Sequence, residues 1–193
     1  MAFTPCTSLL AANVATACSA PRIKGYEQIG VLIDRNDIDW ENVTGNGRTI
    51  DILPLLANKK VAVIYNSKKN PLPFNGTQTA YNRDANQYDK TVQFYYEGIG
   101  GDAAKNVVEP LKDGDYVVIL ERKDKNGAGS FPVFGLQKGL SCGNDGGAQV
   151  QDEETGYWLM TMTTQEPYAE IEWQKETWYA TKSAFDALVA KAY

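Results

Sequence analysis

"DYVVILERKDKNGAGSFPVFGLQ" (115–137) is the stretch on which the reading of the fold turns. Residues 115–124 form a near-continuous apolar run rich in β-branched side chains, which reads as a strand. Asn126-Gly127 follows, the dipeptide best suited to the positive φ angles of a tight hairpin turn. "SFPVFGLQ" (130–137) then returns as the second strand, so the stretch predicts an antiparallel hairpin.

The same signals extend in both directions. "QIGVLID" (28–34) and "KVAVIYN" (60–66) are strand-like, with β-branched residues between turn formers. "TIDILPLL" (49–56) alternates and meets Pro54, which places its end at an edge or a turn. "KTVQFYYEG" (90–98) sets Val92, Phe94 and Tyr96 against Thr91, Gln93 and Tyr95, the pattern of a half-buried strand. "YWLMTMTTQE" (157–166) puts Trp158, Met160 and Met162 on one face, which is expected to be core. "YAEIEW" (168–173) sets Ala169, Ile171 and Trp173 against Tyr168, Glu170 and Glu172, giving that sheet an acidic face.

Two helices are expected. "GGDAAKNVVEPL" reads as a short inserted helix, with Asp102 in its first turn and Pro110 ending it. The second closes the chain, with Ser183 and Asp186 as an N-terminal box, Phe185, Leu188 and Val189 as its apolar stripe, and Lys191 in its last turn. Strands outnumber helices, so the expected class is mainly β: an antiparallel β-sandwich or open barrel with one inserted and one C-terminal helix. Residues 66–89, rich in Asn, Pro and Gly, and residues 138–156, with five glycines, read as two long loops. The organisation expected is an N-terminal arm over 1–25 and one domain over 26–193.

The arm contains "PCTSLLAANVATACSA" (5–20), which ends like a leader cleavage site. A leader needs a basic start and a dense apolar centre. Here the first charged residue is Arg22, and Leu9, Leu10 and Val14 are the only strong apolar residues of the centre. An uncharged stretch of this kind is expected to lie on a surface, that of its own domain or of a neighbouring subunit.

At 193 residues, with 43% hydrophobic and 22% charged side chains, the chain is long enough to bury one core. Its 24 acids against 19 bases give a net charge of −5, with no Lys/Arg cluster beyond short pairs, which disfavours capture of nucleic acid or anionic lipid. Seven of the acids and a single base fall within residues 152–176. The chain has no histidine, so imidazole bases, Ser-His-Asp triads and imidazole zinc ligands are excluded. Cys6, Cys18 and Cys142 are too few for a four-thiolate zinc site; they read as buried or incidental thiols, with a Cys6–Cys18 bridge as the alternative.

One stretch imitates a dinucleotide-binding unit: a strand, Gly98-x-Gly100-x-x-Ala103, a helix, then a strand ending in Glu121. The first strand alternates where a buried parallel strand is continuously apolar, and no further strand-helix alternation follows, so a glycine-rich turn into a packing helix is the stronger reading. Asp34, Asp37 and Asp39 alternate like loose metal ligands but lack the Gly and terminal Glu of a calcium loop, and a solvated loop is favoured. Paired acids such as Glu170 and Glu172 can in principle do acid-base work, but in an outward row they more often face water. No catalytic set, cofactor or metal is expected.

The order strand, hairpin, "VFGLQKGL", glycine-rich loop and "GYWLMTMTTQE", together with the N-terminal "IGVLIDRNDIDW", resembles the tail-tube-type structural proteins of tailed phages, in particular those of the crAss-like phages that infect Bacteroides. The resemblance covers about two thirds of the chain. It implies a tail-tube-like β-subunit assembled with copies of itself into a six-fold or twelve-fold ring of the virion tail or neck, built in the host cytoplasm and without a membrane partner. Adjacent tail or neck rings would stack on it, and genomic DNA would pass through its channel without sequence-specific binding. On this reading Leu9, Leu10, Val14, Pro73, Phe74 and Leu140 are candidate inter-subunit contacts, and Glu170 and Glu172 are candidate channel-facing acids. An acidic lumen would let DNA slide, because adhesion to phosphates needs Lys and Arg. The main alternative is a secreted or surface β-domain that binds glycan or protein through Trp40, Tyr81, Tyr88, Trp173 and Trp178; a small enzyme built on the Gly98 turn is the third.

Overall fold

The computed structural model describes residues 23–65, 73–98, 100–125, 130–143, 147–151 and 157–192. The described strands are β1 (Tyr26–Asp34), β2 (Thr44–Gly45), β3 (Thr49–Ile52), β4 (Ala62–Tyr65), β5 (Gln78–Asn82), β6 (Gln87–Tyr96), β7 (Tyr116–Arg122), β8 (Pro132–Phe134), β9 (Ala148–Gln151), β10 (Tyr157–Glu166) and β11 (Ile171–Trp173). They form a seven-stranded sheet, β2-β3-β11-β8-β7-β1-β4, and a four-stranded sheet, β5-β6-β10-β9. The strand pairs are antiparallel except β3 with β11, where Glu172 aligns with Thr49 and Trp173 with Ile50. The protein is therefore mainly β, two sheets plus two helical stretches, and neither sheet closes into a barrel.

The 115–137 hairpin forms as β7 and β8, with Val118 opposite Phe134 and Ile119 opposite Val133; residues 126–129 lie outside the described part. The unbroken apolar run has a structural reason. Val117 and Ile119 face one hydrophobic cluster, Val118 and Leu120 face another, and all four are fully buried. The first cluster lies between the seven-stranded sheet and the C-terminal helix α3 (Trp178–Ala190), which contributes Phe185 and Leu188. The second lies between the two sheets, with Val92, Phe94, Met160 and Met162 from the four-stranded one. A two-sided strand can bury every side chain, at about 1.5–3 kcal/mol for each large aliphatic.

Strand β1 packs the same way, with Val31 and Ile33 toward α3 and Leu32 between the sheets. Gly30 sits beneath Phe74: a Cβ there would lie 2.9 Å from the Phe74 ring and 2.8 Å from Leu120 Cδ2, so the position is kept bare for close packing.

Four expectations are corrected. Residues 66–89 are not one loop: they contain β5 and the start of β6, joined by a turn over Arg83–Asn86 in which Asn82 Oδ1 accepts from Asp84 N and Ala85 N. The strand escapes the hydrophobic pattern because it is a mostly exposed edge held by backbone pairing to β6. Residues 138–156 likewise contain the edge strand β9.

Pro110 does not end the inserted helix. Segments α1 (Gly101–Ala103), a π-helical stretch (Ala104–Val108) and α2 (Glu109–Asp113) follow one another directly, and the proline occupies the first turn of α2. A proline is tolerated there because its missing N–H falls where the hydrogen-bond ladder changes step; Glu109 N already reaches back five residues to Ala104 O. Helix α3 starts at Trp178, five residues before Ser183, because Thr177 caps it by accepting from Ala180 N. Its expected stripe does face inward, with Phe185 and Leu188 buried and Val189 packed against the same cluster.

Candidate functional site

Strand register builds a cleft at one end of the inter-sheet space. On β6, residues 88, 90, 92 and 94 share the inward face; Val92 and Phe94 fill the core, and Lys90 and Tyr88 continue the row beyond it. Lys90 lies opposite Thr79 of β5 and Thr164 of β10, and Tyr88 lies opposite Tyr81 and Glu166. The Tyr81 and Tyr88 rings meet with centroids 5.2 Å apart, and Tyr81 Oη donates to Asn86 Oδ1.

Where the apolar filling stops, charge begins. Lys90 Nζ stands 2.6 Å from Glu166 Oε2 with both side chains essentially inaccessible to water. Glu166 Oε1 accepts from Gln137 N at 2.8 Å. The contact with Lys90 is a close ion pair rather than a well-directed hydrogen bond, since Oε2 has no hydrogen-bond donor among the described residues. The ammonium also faces the Phe134 ring, 5.9 Å from its centroid.

The seven-stranded sheet supplies the opposite wall. Val118 and Leu120 point between the sheets, and Arg122 is next in that row, opposite Tyr26 of β1. Arg122 Nη2 donates to Glu170 Oε1 at the rim. Burial pushes the Tyr26 hydroxyl above the ordinary phenol range, against the pull of the adjacent Arg122. Between the walls lies a cleft of about 400 Å³ that Lys90, Arg122, Glu170, Tyr26, Tyr81 and Tyr88 help to line.

Of the expected site residues, the structure brings Glu170 to this cleft and leaves it exposed, while Glu172 is half-buried and does not line it. Glu172 alternates with Ile171 and Trp173, which the α3-side cluster takes, as expected over Ile171–Trp173; ahead of the strand the alternation fails, because Tyr168 packs against that same cluster while Ala169 is exposed and lines the cleft. The face is not purely acidic, because Arg122 holds Glu170. Burial, then the Glu170 charge, raise the Glu172 carboxyl above the usual carboxylate range, with Arg122 opposing them.

Pro73, Phe74 and Leu140 are buried within the chain. Phe74 fills the space over Gly30, and Leu140 pairs with Tyr116 through backbone bonds in both directions, so these side chains are spent on the chain's own core and are not surface contacts. Leu9, Leu10, Val14, Cys6 and Cys18 lie outside the described residues.

Among the aromatic candidates, only Tyr81 and Tyr88 come together at a cleft. Trp40 lies under the Arg35 guanidinium, Trp173 is core, and Trp178 packs on Phe131.

The dinucleotide-like stretch does not form its unit, because β6 and β7 belong to different sheets. Glu121 is buried toward Lys125 and Lys182 at 2.5 and 3.6 Å. Asp34 accepts from Asn36 N, Asp37 pairs with Lys59 at 2.7 Å, and Asp39 accepts from Asn42 Nδ2, all local ties. Among the described residues no group of three or more His, Cys, Asp or Glu is placed to hold a metal, and no helix is long and apolar enough to cross a membrane.

Sequence reasoning missed Lys90, Glu166, Arg122 and Tyr26. The signal was there for the first two: each occupies an inward position of a strand whose other inward residues are apolar, and charges so placed on neighbouring strands mark a buried pair. No family model, curated protein or solved structure matches this chain.

Proposed function

We propose that the chain is a non-catalytic structural subunit that assembles with copies of itself into a ring of a phage tail or neck, with a channel for DNA. One observation carries this reading. Among the described residues, the strands at the sheet edges, β2, β4, β5 and β9, contain neither a charged residue nor a proline. Edges are ordinarily guarded by such residues, because exposed N–H and C=O groups otherwise pair with another chain. Tyr65 on β4 and Tyr81 on β5 are each more than half exposed, which adds apolar surface beside the open backbone. The uncharged first 21 residues and the resemblance to tail-tube-type proteins support the same reading. Adjacent rings and DNA in transit are its partners, and the virion is its location.

Native mass spectrometry and negative-stain imaging of the purified chain test it. Closed rings or stacked tubes at multiples of the chain mass are expected. A monodisperse monomer at micromolar concentration sinks the proposal and favours the alternative of a surface domain that binds glycan or protein, for which the Tyr81–Tyr88 cleft speaks.

A further inference from the structure

We infer that the cleft between the sheets is a binding site for a neutral sugar, the end of a glycan. The inference rests on the cleft and not on ring formation, so its test and the assembly test fail separately.

Charge selects against ionic ligands. The two cations at the cleft are each matched by an acid, Lys90 by Glu166 and Arg122 by Glu170, so no net charge is left to draw a phosphate or carboxylate. Hydrogen-bonding capacity remains. A guanidinium carries five N–H donors, and a carboxylate accepts through several lone pairs. Arg122 and Glu170 therefore set donors and acceptors side by side at the rim, with Thr77 and Thr79 in the same lining. Adjacent hydroxyls of a sugar, each both donor and acceptor, match that pattern.

Shape and apolar surface agree with it. The Tyr81 and Tyr88 rings, tilted 55° to one another, offer a surface for the C–H face of a pyranose, and the hydrogen bond to Asn86 holds the Tyr81 ring in place. A volume of about 400 Å³ falls at the small end of the 300–1,000 Å³ typical of ligand pockets, which suits one or two sugar rings.

Saturation-transfer NMR on the full chain with maltose, cellobiose and lactose, which reads monomer and ring alike, is the test. At least one disaccharide should give a saturable signal in the millimolar range. The variants Tyr81→Ala and Arg122→Gln should weaken it about three- to tenfold at an unchanged melting temperature. Tyr81 is more than half exposed and Arg122 is near the rim, so both variants are expected to fold; Tyr81→Phe, which keeps the ring, should retain binding. Absence of a saturable signal from all three sugars overturns the inference. So does equal binding by the Tyr81→Ala and Arg122→Gln variants, or displacement of the sugar by inorganic phosphate or by an extended peptide.

Discussion

Lys90 and Glu166 meet at 2.6 Å between two sheets, on neighbouring strands, with almost none of either side chain exposed. The pair continues the rows of Val92 and Phe94 on one strand and of Met160 and Met162 on the other, so it replaces apolar filling at the end of the core. Removing one partner leaves a buried charge alone, which costs about 3–5 kcal/mol. Lys90→Met should therefore lower the urea midpoint strongly. Adding Glu166→Gln, which discharges the acid and keeps an acceptor for Gln137 N, should recover most of the loss. A single variant as stable as the parent would show that the pair is not closed to water.

Gly30→Ala tests the packing beneath Phe74. The added Cβ meets a buried ring and Leu120, and overpacking of this kind costs about 1–3 kcal/mol. The urea midpoint should fall at constant slope, and Phe74→Leu in the same chain should restore part of it. A neutral Gly30→Ala would mean that the ring moves aside freely.

Glu172 makes stability depend on pH. Its folded-state pKa is raised, by burial first, so the native chain holds this proton more tightly than the unfolded one. The native state then binds more protons across the window from the ordinary glutamate value up to the raised one, and stability falls as pH rises through it. Glu172→Gln should raise the melting temperature at pH 7 more than at pH 4. Equal shifts at the two pH values would remove the carboxyl as the cause.

The pattern of the chain made much of this fold legible. The Val117–Leu120 run, the returning "SFPVFGLQ" and the alternations around Val92 and Met160 put β6, β7, β8 and β10 in place, because strand periodicity and burial on one face or two leave direct marks on sequence. β5 and β9 left none: "QTAYN" and "AQVQ" are polar edge strands held by backbone bonds, and backbone pairing is blind to side-chain identity. Phe74 and Leu140 misled for the converse reason. They sit in glycine- and proline-rich surroundings that read as loop, yet each is a core residue delivered by a turn. The cleft was illegible because its walls come from β1, β5, β6 and β7, and nothing in the order of residues says which strands of one sheet will face which strands of the other.

Cys142 should be chemically silent in the native protein. Burial pushes its thiol up to about 11, although a backbone hydrogen bond with Thr161 pulls the other way. The thiolate is the reactive species, so a thiol this far above neutrality is unreactive at pH 8. In a Cys6→Ser/Cys18→Ser variant, Ellman's reagent should find no thiol until denaturant is added, and then one. Rapid native-state labelling would show that the region around Leu111 and Thr161 opens.

The arm can be separated from the sandwich. Both hydrophobic clusters, as described, are built from Tyr26 onward, and β1 makes its pairings with β4 and β7 from that residue on. Deleting residues 1–21 should therefore leave a cooperatively melting domain with a melting temperature near that of the full chain. The stretch removed is uncharged and carries Leu9, Leu10 and Val14, so the loss should fall on assembly: sedimentation should show the truncated chain shifted from rings or stacks toward small species. If it assembles as the full chain does, the arm has no part in the ring, and the uncharged edges β4, β5 and β9 are left to form it alone. Lysines placed at Val63 and Ala80 would then be the next substitutions to make, since a charge on an edge strand blocks pairing with a neighbour at little cost to the subunit.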